Sequence, residues 1–312
     1  MKKLSNSLIY LLVGVLSFFF FLYLSFPYNL LKESLTLRLN QNSEYRVKLG
    51  ELSPHLPLGV QVDDLSFSMY GKAMELKHVE LELSLLSLLA GNVKVNFHVD
   101  DVEKGYLSGT VIYSMGALLS GTTDELIPKH LYIDAKNFIF GNIVDFILNA
   151  QANSPNVNML LKPWLESIDI NGKLNLLVDM DISPKDLRNS TGKLELNIDR
   201  MSLKSLNESL SIPEQIFSRF RVKAKLTTGM LVFDKSSGLQ SQDLSLSVQG
   251  KITQKPQILK SQLDILAALE LGEPLQKEFG FIIDTFLQVE SNGKLNIQVR
   301  GPLTPKPTLE FL

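Results

Sequence analysis

The sequence predicts a mainly β protein with some α: an N-terminal transmembrane helix followed by a long curved antiparallel β-sheet with covering helices. Three observations carry this. Residues Leu4 to Leu31 contain no charged side chain, although 21% of the 312 residues are charged. Many later segments alternate apolar and polar residues strictly, the signature of strands with one buried and one wet face. The same texture, punctuated by Gly-Lys pairs, returns to the end of the chain.

The composition already narrows the function. With 45% hydrophobic residues the chain is not intrinsically disordered. The lack of cysteine excludes a disulfide scaffold, a cysteine zinc site and a thiol nucleophile. A net charge of −2 with no basic block argues against nucleic acid as a partner.

The uncharged block comes first. Leu8 to Phe26 is nineteen residues, with Phe18 to Phe21 in a row. A helix of about 20 residues crosses a hydrocarbon core of about 30 Å. Tyr10, Tyr23 and Tyr28 lie toward the ends, where amphipathic rings favour the interface, and Pro27 ends or kinks the helix. A cleaved signal peptide would need a shorter apolar region and a small-x-small site, which Ser25-Phe26-Pro27-Tyr28 does not offer. The expectation is therefore an uncleaved single-pass anchor, with the membrane as a partner. Lys2 and Lys3 favour a cytoplasmic N-terminus, against the opposing pull of Lys32, Arg38, Arg46 and Lys48. This divides the chain into residues 1–31, a cytoplasmic tip and anchor, and residues 32–312, a periplasmic β-rich domain. A weak break near Ser154-Pro155 would split the latter into halves, 32–154 and 155–312.

After Tyr28, Leu30, Leu31, Leu35, Leu37 and Leu39 predict a short amphipathic helix. Val60 to Met69 reads as a strand with an irregularity at Asp63-Asp64, and Met74 to Leu83 as the next. Ser84 to Gly91 reads as a short apolar helix or crossover closed by glycine. Val93, Val95, Phe97 and Val99 alternate with Lys94, Asn96 and His98. Further strands are expected at Leu174–Ile182, Leu194–Ile198, Leu244–Val248 and Leu295–Val299. Gly172-Lys173, Gly192-Lys193, Gly250-Lys251 and Gly293-Lys294 read as strand starts, and Asn171 to Asn175 is identical to Asn292 to Asn296. This predicts a repeated hairpin unit, although Asn-Gly is also simply a favoured turn pair. Helices are expected at Phe140–Ala150, Asn158–Ser167, Pro213–Phe220, Leu263–Leu271 and Pro274–Val289.

No constellation for catalysis emerges. His55, His78, His98 and His130 stand far apart without metal spacing. Asp100-Asp101 and Asp179-x-Asp181 lack the further oxygens and the glycine of a calcium loop. There is no nucleophile elbow, phosphate loop or dinucleotide glycine pattern. Trp164 reads as core packing, and the sequons at Asn189 and Asn207 matter only in a glycosylating pathway. Catalytic, cofactor-binding and metal residues are therefore all read as none, and the chain as no enzyme.

The order of these segments resembles a known family. The anchor ends in Phe26-Pro27-Tyr28 and is followed by Leu30-Leu31 and a helix. Then come Val62 to Phe67, Val79 to Gly91, the Thr228-Gly229-Met230-Leu231 element and a closing Gly301 to Pro307. Over nearly its whole length the chain is similar to type II secretion system protein N. More distantly it resembles AsmA-like membrane-anchored periplasmic proteins. The resemblance implies an AsmA-like sheet and no catalytic residues. It also implies a single-pass protein of the inner membrane that works with other secretion-system proteins in export from the periplasm. The alternative it implies is an envelope protein whose apolar β-groove binds or transports lipid between membranes.

Overall fold

In the computed structural model the chain forms one 17-stranded antiparallel sheet. It describes residues 10, 13–14, 17–18, 21, 23, 25–41, 45–56, 58–70, 72–100, 104–119, 127–139, 141–153, 162–205, 214–255, 260–277, 294–303 and 308–311.

The described residues from Tyr10 to Tyr23 are helical, and Tyr10, Val13, Phe18 and Phe21 are exposed. Among the described residues no helix is long and apolar enough to cross a membrane. Most of the expected anchor, Leu8 to Phe26, lies outside the described residues. Helix α1 (Tyr28–Leu39) follows Pro27 as expected, but its leucines do not share one side. Tyr28 and Leu31 pack on the core, whereas Leu30 and Leu37 face outward.

The chain then turns at Asn40 into an interrupted edge strand, β1 (Tyr45–Lys48) and β2 (Glu51–His55). Both pair with β3 (Gly59–Met69). Asn40 caps this edge. Its Oδ1 accepts the Val47 N–H at 2.6 Å, and its Nδ2 donates to the Val47 carbonyl at 2.7 Å. An edge strand offers unpaired backbone groups, and here one amide side chain takes both groups of one residue. Asp64 has a φ of 59°, the expected irregularity, yet the β3 register continues past it.

From β3 the strands pair in sequence order. They are β4 (Lys72–Leu83), β5 (Asn92–Asp100), β6 (Tyr106–Ser114), β7 (His130–Ile139), β8 (Ile168–Asp181) and β9 (Thr191–Ser205). Strand β9 pairs with β10 (Gln215–Ile216) and β11 (Arg219–Thr227). Strand β11 pairs with β12 (Met230–Phe233) and β13 (Gly238–Gln240), and both of those pair with β14 (Leu244–Thr253). Then follow β15 (Gln262–Leu271), β16 (Lys294–Pro302) and β17 (Thr308–Phe311). The turn between β11 and β12 holds Thr228 at φ 49° and Gly229 at φ 72°, the left-handed pair of a two-residue hairpin. The sheet continues across the break expected at Ser154-Pro155, because β7 and β8 pair with each other.

Short helices decorate the sheet between its strands. Helix α2 (Leu85–Leu89) joins β4 to β5; its Ser84 side chain accepts the Ser87 N–H, and Gly91 follows at φ 73°. Helix α3 (Met115–Leu119) follows β6. Helix α4 (Gly141–Ala152) confirms the helix expected at Phe140–Ala150. The next, α5 (Lys162–Ser167), is the described part of the one expected at Asn158–Ser167. Pro163 stands in its first turn, where the missing N–H costs nothing.

Four expectations are corrected. Leu263–Leu271 is strand β15, not a helix: it pairs along its length with β14 and β16. Leucine and alanine favour helix by propensity, but two ladders outweigh that preference. Pro213–Phe220 is not a helix either; its described part forms β10, held by β9, and the start of β11, held by β13. Gly172 and Gly250 do not start strands. Gly172 lies inside β8, where a Cβ would come 2.6 Å from Ile198 Cγ2, and Gly250 bends the middle of β14 at φ 132°. Of the helix expected at Pro274–Val289, residues 273–277 are helical and the rest lies outside the described residues, as does Gly293.

Candidate functional site

Strand side chains alternate between faces, so antiparallel pairing gathers residues of like parity into rows. One row runs Val62, Val79, Val99, Leu107, Ala135, Leu176, Leu196 and Val222 across eight strands. Farther along, Leu246, Leu269 and Leu295 form a similar row. The result is an apolar face running through most strands of the sheet.

Helix α4 lies on that face. It packs against both β4 and β8, four strands apart, so the sheet curls around it and the apolar face becomes a trough. Two bulges sharpen the bend. In β7 one extra residue is inserted, so that Lys136 and Asn137 together stand opposite Asn175; Asn137 takes φ 51° and its N–H donates to Asn175 Oδ1 at 3.1 Å. In β9, Arg200 at φ 52° accompanies a register shift opposite Gly172. The β7 bulge restores the inward aim of Phe138, which joins Val62, Val79, Val99, Leu174, Ile198 and their neighbours in the core.

The trough is not equally filled along its strands. The end carrying α4, the β8 start and the β9 end is closed by this core. On β4 the covering fails toward the other end. Val79 is 7% exposed, but Leu83, on the same face, is 37% exposed. A smaller cluster, Val178, Met180 and Leu226 with Leu131, Leu194 and Leu231, closes that end at β8 to β12. Among the described residues, the opening lies in the neighbourhood of β3 to β6. On β6, Gly109 leaves room for the Phe97 ring from β5.

The outer face carries the charges. His78 lies 2.8 Å from Asp63 and 3.1 Å from Glu80, and His55 lies 3.6 Å from Glu80. Glu80 pairs across the ladder with His98, which lies 3.0 Å from Asp100 and stacks on Tyr106. Histidines that stand far apart in sequence are thus gathered on β2 to β5. The sequence signal was the parity of each strand, but only the register unites them. Hydrogen bonding to the Asp63 and Glu80 carboxylates, which accept from the ring, raises the His78 pKa, and accepting that bond lowers the pKa of Asp63. Burial, then Asp169, raises the Asp145 carboxyl on α4. Burial, then Tyr23, pushes the Tyr28 hydroxyl up to about 12. His130 is set apart, 2.9 Å from Asp181. Among the described residues no group of three histidine or acidic side chains is arranged to hold a metal ion. Asp179 faces the polar side beside Tyr132 and Lys193, as a strand residue.

Among the described residues, the arrangement offers an apolar trough that opens near β3 to β6, backed by a polar outer face. The chain matches no family model, no curated protein and no solved structure.

Proposed function

We propose that this protein is a non-enzymatic, single-pass inner-membrane component of the type II protein secretion system. Its N-terminus is cytoplasmic and its body periplasmic, and it acts in export of proteins from the periplasm. The carrying observation is the 17-stranded antiparallel sheet, built behind an uncharged, apolar N-terminal segment whose described residues from Tyr10 to Tyr23 are helical. Such a body is a scaffold with an extended face and an edge for docking other envelope proteins. The sequence resemblance supplies the system in which it works. Deleting the gene should leave secreted proteins stranded in the periplasm, with export restored by the intact chain. Normal export in the deletion strain would overturn the reading.

One observation favours a second reading, an AsmA-like protein that binds or carries lipid. The inner face of β4 grows more exposed toward Leu81 and Leu83, leaving apolar surface for acyl chains. Purifying the full chain in mild detergent, followed by lipid mass spectrometry, tests it. Co-purifying phospholipid supports this reading, and lipid-free protein overturns it.

A further inference from the structure

The open end of the trough is also where the most exposed leucines among the described residues stand. Helix α2 offers Leu86 at 80% and Leu89 at 87% exposure, and α3 offers Leu119 at 80%. Leu56, Leu85 and Leu118 are exposed beside them. These residues lie on one rim. The Met115 N–H, at the start of α3, donates to the Gly91 carbonyl, which closes α2, at 3.1 Å. The Leu83 N–H donates to the Leu58 carbonyl in the β2–β3 hairpin at 2.7 Å. Neither Ser84 to Asn92 nor Ser114 to Leu119 contains an ionisable side chain. In water, two adjacent uncharged leucine tips without cover are costly, and soluble surfaces rarely carry them together.

What covers them is indicated by the N-terminal segment. Tyr23 is helical, and its hydroxyl meets the carbonyls of His55 and Gly59 and accepts the Gly59 N–H. That hairpin belongs to the same rim. The uncharged segment from Leu4 to Leu31 therefore joins the sheet at the end where the leucines are exposed, not at the end closed by α4. Lys129 stands just behind the tips, donating to Asn92 Oδ1 at 2.9 Å, where an ammonium would reach lipid headgroups.

We infer that the rim formed by Leu86 and Leu89 of α2 and Leu119 of α3 inserts into the surface of the lipid bilayer. The sheet then stands on the membrane with the open part of its trough facing the lipid. This rests on the reading of Leu8 to Phe26 as an anchor. It adds a second contact, which fixes the orientation of the body.

The absence of cysteine makes the test direct. Leu86→Cys, Leu89→Cys, Leu119→Cys and, as a control on β4 toward the α4 end, Glu75→Cys each carry an NBD probe in the full chain. The chains are reconstituted in vesicles of phosphatidylethanolamine and phosphatidylglycerol. The expected result is blue-shifted emission at 86, 89 and 119, several-fold weaker iodide quenching than at 75, and strong quenching by doxyl lipid at those three sites alone. Adding Leu86→Glu and Leu89→Glu should return the probe at 119 to water while the thermal melt stays unchanged. Chains that float with vesicles but show equal iodide quenching at all four sites overturn the rim and leave the anchor standing. Rim probes shielded from iodide yet untouched by doxyl lipid also overturn it, because a protein surface then covers the leucines. Chains that do not float with vesicles overturn the anchor and the rim together.

Discussion

Strand β4 contains both conditions of the apolar face within five residues. Val79 sits in the core beneath the region gripped by α4, and Leu83, four positions on and pointing the same way, is more than one third exposed. The residue types do not explain the difference, because leucine is the larger and more apolar side chain. The difference lies in what the fold places above each. At one end the curl of the sheet, the β7 and β9 bulges and α4 supply a lid. At the other end of β3 to β6 the helices α2 and α3 turn their leucines outward. The same face is therefore a core at one end and a surface at the other, and the two should answer mutation differently.

The largest effect is expected at the closed end. Phe138→Ala removes a ring buried among Ala135, Leu174 and Ile198, and should cost about 3–5 kcal/mol in urea unfolding. A cost below about 1 kcal/mol would mean that the end is not packed.

A direct contrast on β4 comes next. Val79→Ala should cost about 1.5–2.5 kcal/mol. Leu81→Ala removes more carbon, yet it should cost less than Val79→Ala in detergent-free buffer. The reverse order would remove the distinction between the ends.

The capped edge gives an intermediate effect. Asn40→Ala frees both backbone groups of Val47 and should cost about 1–2 kcal/mol. Faster amide exchange at Val47 should accompany it, and unchanged exchange would show that the cap is idle.

The smallest effect is expected on the outer face. Because the folded His78 pKa is raised, its contribution is full below the unfolded value near 6.5 and fades as pH rises through the raised folded value. Asp63 is the opposite case: its contribution holds above about 3.8 and is lost as pH falls through its lowered folded value. His78→Gln should therefore flatten the slight loss of thermal stability between neutral and mildly alkaline pH. The effect should be small, since the groups are partly exposed and screened by solvent.

Much of the fold was legible where one face of a strand is apolar and the other polar. Val93 to Val99 and Leu174 to Asp181 are such strands, and Ser84 with Gly91 marks both ends of α2. Strand β15 was misread because Leu266 and Ala268, on its outer face, break the alternation and leave a run of helix-favouring residues. Gly172 and Gly250 were misread because a glycine serves a bulge or a bent strand as well as it serves a turn. The histidine cluster was not legible, since it depends on His78 and Glu80 of β4 meeting Asp63 of β3 and His98 of β5 across ladders.

By itself, the sequence determined that a β-rich body follows an uncharged apolar segment and that its strands have two unlike faces. Side-chain period and residue type are local properties, and local physics is enough to fix them. Only the tertiary structure decided which part of the apolar face is closed and which rim is left bare. That outcome depends on the curl of seventeen paired strands and on where α4 comes to rest, and both are set by contacts between residues distant in the chain.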